Sequence, residues 1–163
     1  MEKLEFDIRI SEIKELTSEN KFHRWEIRRY NGYPINVSMS ASVLPDINRN
    51  LLTLTLGVRY VSSTASNEKE LLRYNILVDF EIDKLEERIQ ITDKTVKVPS
   101  HLLTLIMSVG VGTLRGMLAQ RTSGTVLDKY PLPLMNISEI VSAIIYSERS
   151  RNPVYPLFKF IYD

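Results

Sequence analysis

The chain contains no cysteine in its 163 residues. Without thiols it can form no disulfide, no thiolate metal site and no cysteine nucleophile. A cysteine-free sequence fits a reducing compartment, because disulfides are mainly a feature of exported proteins. The chain begins Met1-Glu2-Lys3 and continues with alternating residues, without the apolar run of a signal peptide. We therefore expect a cytoplasmic protein.

An excess of one charge sign is also lacking. Lys and Arg total 21 and Asp and Glu total 20, so the formal net charge is +1. This balance gives no general attraction to nucleic acid or to an anionic membrane surface. The most apolar stretch, Leu102–Ala119, is interrupted by Thr104, Ser108, Thr113 and Arg115. We therefore expect no stable insertion into a membrane.

Residues that carry catalysis are scarce. The two histidines, His23 and His101, lie in different predicted elements, and the sequence has no HExxH, GxSxG or phosphate-loop motif. Asp79, Glu81 and Asp83 share one face of a predicted strand. Carboxylates placed together can perform acid–base chemistry, although such a row is more often a solvated face. We expect no catalytic residue, no metal site and no cofactor, and hence no enzyme.

Alternation of apolar and polar residues predicts four strands. Short links between the last three strands favour antiparallel pairing. The first predicted strand is Leu4–Ile10, and Ile13 and Leu16 are compatible with its extension up to a polar break at Thr17–Lys21. The others are Ile35–Val43, Leu52–Tyr60 and Tyr74–Ile82. The segment Lys84–Val98 has no clear period and stays ambiguous.

Two helices are predicted after the strands. The first, about His101–Arg121, is apolar around most of its circumference and must be covered on more than one side. Its glycines suit close packing, so we expect the helix to contact a second copy of the chain. The predicted interface residues are Leu105, Val109, Gly112 and Gly116. The second helix begins after Asn136, with Glu139 in a capping-box position, and should end near Arg149.

The order of these elements defines an α+β fold, and three segments carry a family resemblance. Thr113–Ala119, Gln120–Thr125 and Leu132–Ile137 resemble the end of the long helix, its exit and the link to the last helix in the SecB-like family of bacterial chaperones. The resemblance implies a curled four-stranded antiparallel sheet, a long apolar helix and a shorter C-terminal amphipathic helix. It also implies a homotetramer, built as a dimer of dimers, that holds unfolded polypeptides without ATP.

Two departures from the family argue against contact with the export motor. Members that serve export are acidic and end in a polar tail, whereas this chain is neutral and its last residues are apolar and aromatic. We divide the chain into a SecB-like domain, 1–150, and a tail, 151–163. Because disordered segments have few aromatic residues, we expect Val154–Tyr162 to dock on an apolar surface or to add a strand at a sheet edge.

The predicted polypeptide-binding groove has two walls. An aperiodic aromatic segment supplies the first wall, and the link with the last helix supplies the second. The wall residues are Phe22, Trp25, Ile27, Tyr30 and Tyr33 on one side, and Leu134, Met135, Ile140 and Ile144 on the other. The aromatic segment could instead be a flap over the core, or bind single-stranded nucleic acid through Arg24, Arg28 and Arg29. The last helix could likewise be plain core.

The sequence therefore predicts an ATP-independent chaperone for unfolded polypeptides. An adaptor or antitoxin-type chaperone with one dedicated protein partner is the alternative, and an enzyme is third. Broad binding to many unfolded chains would favour the first class, and tight binding to one partner would favour the second.

Overall fold

A computed structural model of the chain describes residues 7–20, 34–63, 68–92, 95–142 and 158–162. The strands and helices, in chain order, are β1 Ile8–Asn20, β2 Ile35–Asp46, β3 Leu51–Ser63, β4 Glu68–Ile82, α1 Leu85–Arg88, β5 Gln90–Thr92, β6 Thr95–Lys97, α2 Ser100–Thr122, α3 (helical over 137–142) and β7 Phe158–Tyr162. The α+β class is confirmed, with the four predicted strands in one antiparallel sheet and the long helix after them.

The main sheet has the order β1-β4-β3-β2-β7. Strands β2, β3 and β4 follow one another as antiparallel neighbours, and β1 pairs with β4 at the far side, which gives the four long strands a Greek-key order. β7 pairs antiparallel with β2 and makes a fifth strand. This part of the predicted tail therefore joins the sheet as an edge strand, the second of the two arrangements expected for it.

One face of the sheet and the inner side of α2 form the core. Alternate residues of β3 and β4, such as Leu54, Leu56, Ile76 and Val78, have no exposed surface. The helix comes close to the strands at Gly110, where an added Cβ would clash with Leu54 Cδ2. Gly110 therefore has a packing role within the subunit.

The polar break predicted at Thr17–Lys21 is wrong over its described part. β1 continues to Asn20, and Thr17, Ser18, Glu19 and Asn20 all pair with β4. The register shifts between Ile10 and Glu12 and again between Glu15 and Thr17. Each bulge inserts a residue and interrupts the two-residue period, so the sequence pattern fades while the backbone pairing continues.

The ambiguous segment folds into small pieces. α1 is a single turn with Leu85 buried, and β5 and β6 form a two-stranded sheet of three residues each. A left-handed residue, Lys84 with φ 52°, leads from β4 into α1. Elements this short are below the length at which periodicity can be recognised.

By length and apolar composition alone, α2 also meets the requirement for a membrane-spanning helix. In the fold, 44% of its most apolar 18-residue stretch is buried. The buried share lies against β3 and β4.

Candidate polypeptide-binding surface

The residues of the first predicted groove wall lie outside the described part of the chain, as does Ile144. They are Phe22, Trp25, Ile27, Tyr30 and Tyr33. Of the second wall, Leu134 is 88% exposed and Met135 is half-buried against the core. Ile140 has no exposed surface. Leu134 and Met135 are therefore accessible at the surface, whereas Ile140 lies in the core.

The link between α2 and α3 is held in place by hydrogen bonds from two side chains. Arg115 Nε donates to the Leu132 carbonyl at 3.1 Å and Arg115 Nη2 donates to the Pro133 carbonyl at 2.8 Å. The Tyr60 hydroxyl donates to the Tyr130 carbonyl at 2.6 Å. Leu132 is 3% exposed and anchors the link in the core. The backbone before Leu134 is thus fixed, and the Leu134 side chain projects into solvent at a defined place.

The start of α3 confirms Asn136 as the N-cap, but the two backbone bonds of a capping box are replaced by a different pair of bonds. Asn136 Oδ1 accepts a hydrogen bond from the Ser138 amide at 3.1 Å, and Asn136 Nδ2 donates to Glu139 Oε1 at 3.4 Å. Ile140 and Val141 then lie in the core. The cap fixes where the helix begins and so where the link that carries Leu134 ends.

The outer face of α2, defined here as Leu105, Val109, Gly112 and Gly116, is the predicted oligomer interface. Leu105 and Val109 are half-buried, and Gly112 and Gly116 are exposed. Among the described residues, no atom lies within 4 Å of a Cβ added at either glycine. Neither glycine is therefore required for a close approach to the described strands, in contrast to Gly110.

An apolar surface that the sequence pattern does not reveal lies along β1. Ile10, Ile13 and Leu16 are 44%, 46% and 45% exposed. Ile10 pairs with Phe80 and Ile13 with Val78, so both stand on the core side of the sheet. They are nevertheless uncovered, because α2 packs mainly over β3 and β4. Alternation shows which face a residue takes and not how far the covering helix reaches.

A charged cluster joins the end of α2 to β1. Arg121 donates to both carboxylate oxygens of Glu15, at 2.8 Å from Nε and 2.7 Å from Nη2, and the Tyr74 hydroxyl bonds Glu15 Oε2 at 2.8 Å. The Arg121 hydrogen bonds, followed by the bond from Tyr74, hold the pKa of Glu15 below its usual value of 4.5. Burial, together with the bond to Glu15, raises the pKa of Tyr74 to about 12.

This cluster predicts a pH dependence. A carboxyl with a lowered folded-state pKa stabilises the fold above its unfolded pKa and loses that contribution as pH falls through the folded value. We expect Glu15→Gln to lower the denaturation midpoint at pH 7, and the difference from the unaltered protein to shrink below about pH 4. Urea titrations at pH 7 and pH 3 measure it. Glu12→Gln, an exposed residue of the same strand, is the control, and a difference that grows at low pH would contradict the assignment.

Two of the three residues in the acidic row Asp79, Glu81 and Asp83 have side-chain partners. Asp79 is buried and accepts a hydrogen bond from the Thr53 hydroxyl, Glu81 pairs with Arg9 at 2.7 Å, and Asp83 lies beyond the end of β4. These contacts explain the row as part of the sheet surface. Within the described ranges, no group of three or more His, Asp or Glu residues is placed to hold a metal ion.

Comparison with known proteins gives no match, since neither a protein-family model nor a curated protein matches this sequence. The proposed function therefore rests on the surfaces of the fold.

Proposed function

We propose that this chain binds unfolded polypeptides without ATP, as a chaperone of SecB-like type and not as an enzyme. The observation that supports the proposal most is Leu134, a large apolar side chain that is 88% exposed on a backbone fixed by Arg115. A scattered exposed leucine needs no explanation, but one presented on an anchored extended segment suits contact with a partner. Met135 beside it adds a flexible, polarizable side chain that adapts to varied sequences.

The mechanism follows from the physics of burial. Contact between apolar side chains is non-directional, so a surface of this kind accepts many sequences if they are unfolded and expose apolar residues. A folded client hides those residues and does not bind. The half-exposed Ile10, Ile13 and Leu16 would add apolar area in the same way. The remaining residues of the proposed binding surface are Phe22, Trp25, Ile27, Tyr30, Tyr33 and Ile144.

The proposal includes self-association through the outer face of α2. Gly112 and Gly116 are exposed in an apolar helix and would allow the backbone of a second copy to approach closely. A symmetric closed assembly is the usual result of such self-complementary surfaces. We propose a homotetramer, organised as a dimer of dimers, in the cytoplasm.

The alternative is an adaptor or antitoxin-type chaperone with the same fold and one dedicated partner. It predicts tight binding to one protein and none to a panel of unfolded chains. Titration of several unrelated unfolded polypeptides separates the two, because the chaperone binds all of them with similar affinity.

A charge placed at Leu134 tests the proposed surface. We expect Leu134→Asp to weaken binding of an unfolded polypeptide about tenfold or more, because burying the carboxylate opposes apolar contact. The melting temperature should stay unchanged, since the side chain is almost fully exposed. Ile91→Asp, at a residue 53% exposed in β5, is the matched control and should bind normally. Equal affinity for both variants would remove Leu134 from the binding surface.

A further inference from the structure

The outer strands of the four long strands, β1 and β2, differ in how their free edges are protected against pairing with another chain. Natural edge strands resist pairing with other chains through charges, prolines or bulges. β1 has both bulges and charges, since its register shifts twice. Its charged residues are Arg9, Glu12, Lys14, Glu15 and Glu19. This edge is unsuited to accepting another strand.

The edge of β2 has the opposite character. No charged residue occurs from Ile35 to Pro45, and its pairing with β3 has no register shift. Ile35, Val37 and Met39 are at most 2% exposed, whereas Val43 is half-buried and Leu44 is 65% exposed further along. A regular, uncharged edge of this kind is a template for an added strand.

The chain places its own C-terminal segment on that template. β7 pairs with Ile35–Met39, with Phe160 opposite Val37 and Tyr162 opposite Ile35. Aromatic residues thus occupy the register positions of the core-facing residues of β2, and Lys159 and Ile161 occupy the alternate positions. In the part of the chain that the structure describes, no strand pairs with this edge from Ser40 to Asp46.

We propose that the β2 edge is a second binding site for extended polypeptide and that β7 is its intramolecular competitor. An apolar client segment would displace β7 and pair with Ile35–Met39. Backbone hydrogen bonds would supply sequence-tolerant affinity, as in other cases of strand addition. This inference rests on the proposed function and specifies one of its contact surfaces.

The length of β7 supports exchange. It has five residues, whereas β2, β3 and β4 have 12, 13 and 15. A strand this short gives up few backbone hydrogen bonds when it detaches, so the edge becomes available without unfolding the domain. The apparent affinity for clients is then the intrinsic affinity of the free edge multiplied by the fraction of molecules in which β7 is detached.

A reversible lock tests the proposal in the full-length chain. Ser38 and Lys159 are direct partners in the register, and the chain has no cysteine, so Ser38→Cys with Lys159→Cys creates a single disulfide. Directly paired antiparallel residues have Cα atoms about 4.5–5.5 Å apart, within the range that a disulfide spans. The probe is a permanently unfolded, carboxymethylated polypeptide with a fluorescent label.

We expect the oxidised lock to bind the probe about tenfold more weakly than the same protein after reduction. Ser38→Cys alone should show no response to the reductant. If the locked and reduced forms bind the probe equally well, the proposed function stands and the competitor role of β7 is overturned.

If neither form binds the probe, the proposed function fails and a second probe decides the inference. This probe is a labelled synthetic peptide of residues 153–163, which should bind the reduced form and not the oxidised one. A matched peptide with proline at positions 159 and 160 should not bind, because one of two adjacent amides in a strand must donate to β2. Absence of binding by the unaltered peptide would overturn strand addition at this edge.

Discussion

Replacing Gly110 with leucine is expected to lower the stability of the fold by about 3 kcal/mol or more, because even a Cβ at this position meets Leu54. For a domain of this size, such a loss lowers the melting temperature by about 10 °C. Thermal unfolding followed by circular dichroism measures it. An unchanged melting temperature would mean that α2 is not in close contact with β3 at this point.

Gly112→Leu is the matched control for that experiment, since it makes the same change two residues along the same helix. In the part of the chain that the structure describes, no atom lies within 4 Å of a Cβ added at this position, and leucine is a better helix former than glycine by about 1 kcal/mol. The monomer should therefore be at least as stable as the unaltered chain. If the outer face of α2 is a subunit interface, light scattering should show dissociation of the assembly, because the new side chain separates the packed helices. An assembly of unchanged mass would remove this face from the interface.

Trp25→Ala is the second substitution with a large expected effect. In the proposed groove Trp25 lines one wall, and its removal should weaken binding of an unfolded polypeptide by about 2 kcal/mol, roughly thirtyfold, with little loss of thermal stability. If the aromatic segment is instead a flap over the core, the same change should lower the free energy of unfolding by about 3–5 kcal/mol. A melt and a binding titration on this one variant distinguish the two interpretations. A variant that is stable and binds normally would exclude both.

Regular elements with long periods could be predicted from the sequence. Alternation identified β2, β3 and β4 within a few residues, and the Asn136–Glu139 pair correctly marked the start of α3. Local backbone preference and burial act together in these segments, so the pattern is sufficient. The long helix was recognised because its apolar residues continue over six turns.

The features that sequence could not supply depend on contacts between distant segments. The bulges of β1 arise in its pairing with β4, so their positions are not visible in the residues of β1 alone. The pairing of β7 with β2 joins segments more than 115 residues apart, and the aromatic content of Val154–Tyr162 indicated only docking, with an edge strand as the alternative. The different roles of Gly110 and Gly112 depend on which side of α2 faces Leu54.

The candidate surface was predictable only in part for the same reason. Leu134 and Ile140 both belong to an apolar stretch, yet one is 88% exposed and the other has no exposed surface. Leu134 lies in the link that Arg115 holds through the Leu132 and Pro133 carbonyls, whereas Ile140 lies on the side of α3 that faces the core. Exposure of this kind is a property of the folded link.

Recognition of the unfolded state of other polypeptides is the property that defines the proposed function. Fluorescence anisotropy with one labelled polypeptide, prepared both native and permanently unfolded and without nucleotide, measures this recognition. We expect saturable binding of the unfolded form at micromolar or lower concentration and no binding of the native form. Failure to bind either form, or equal affinity for both, would show that the chain does not recognise the unfolded state.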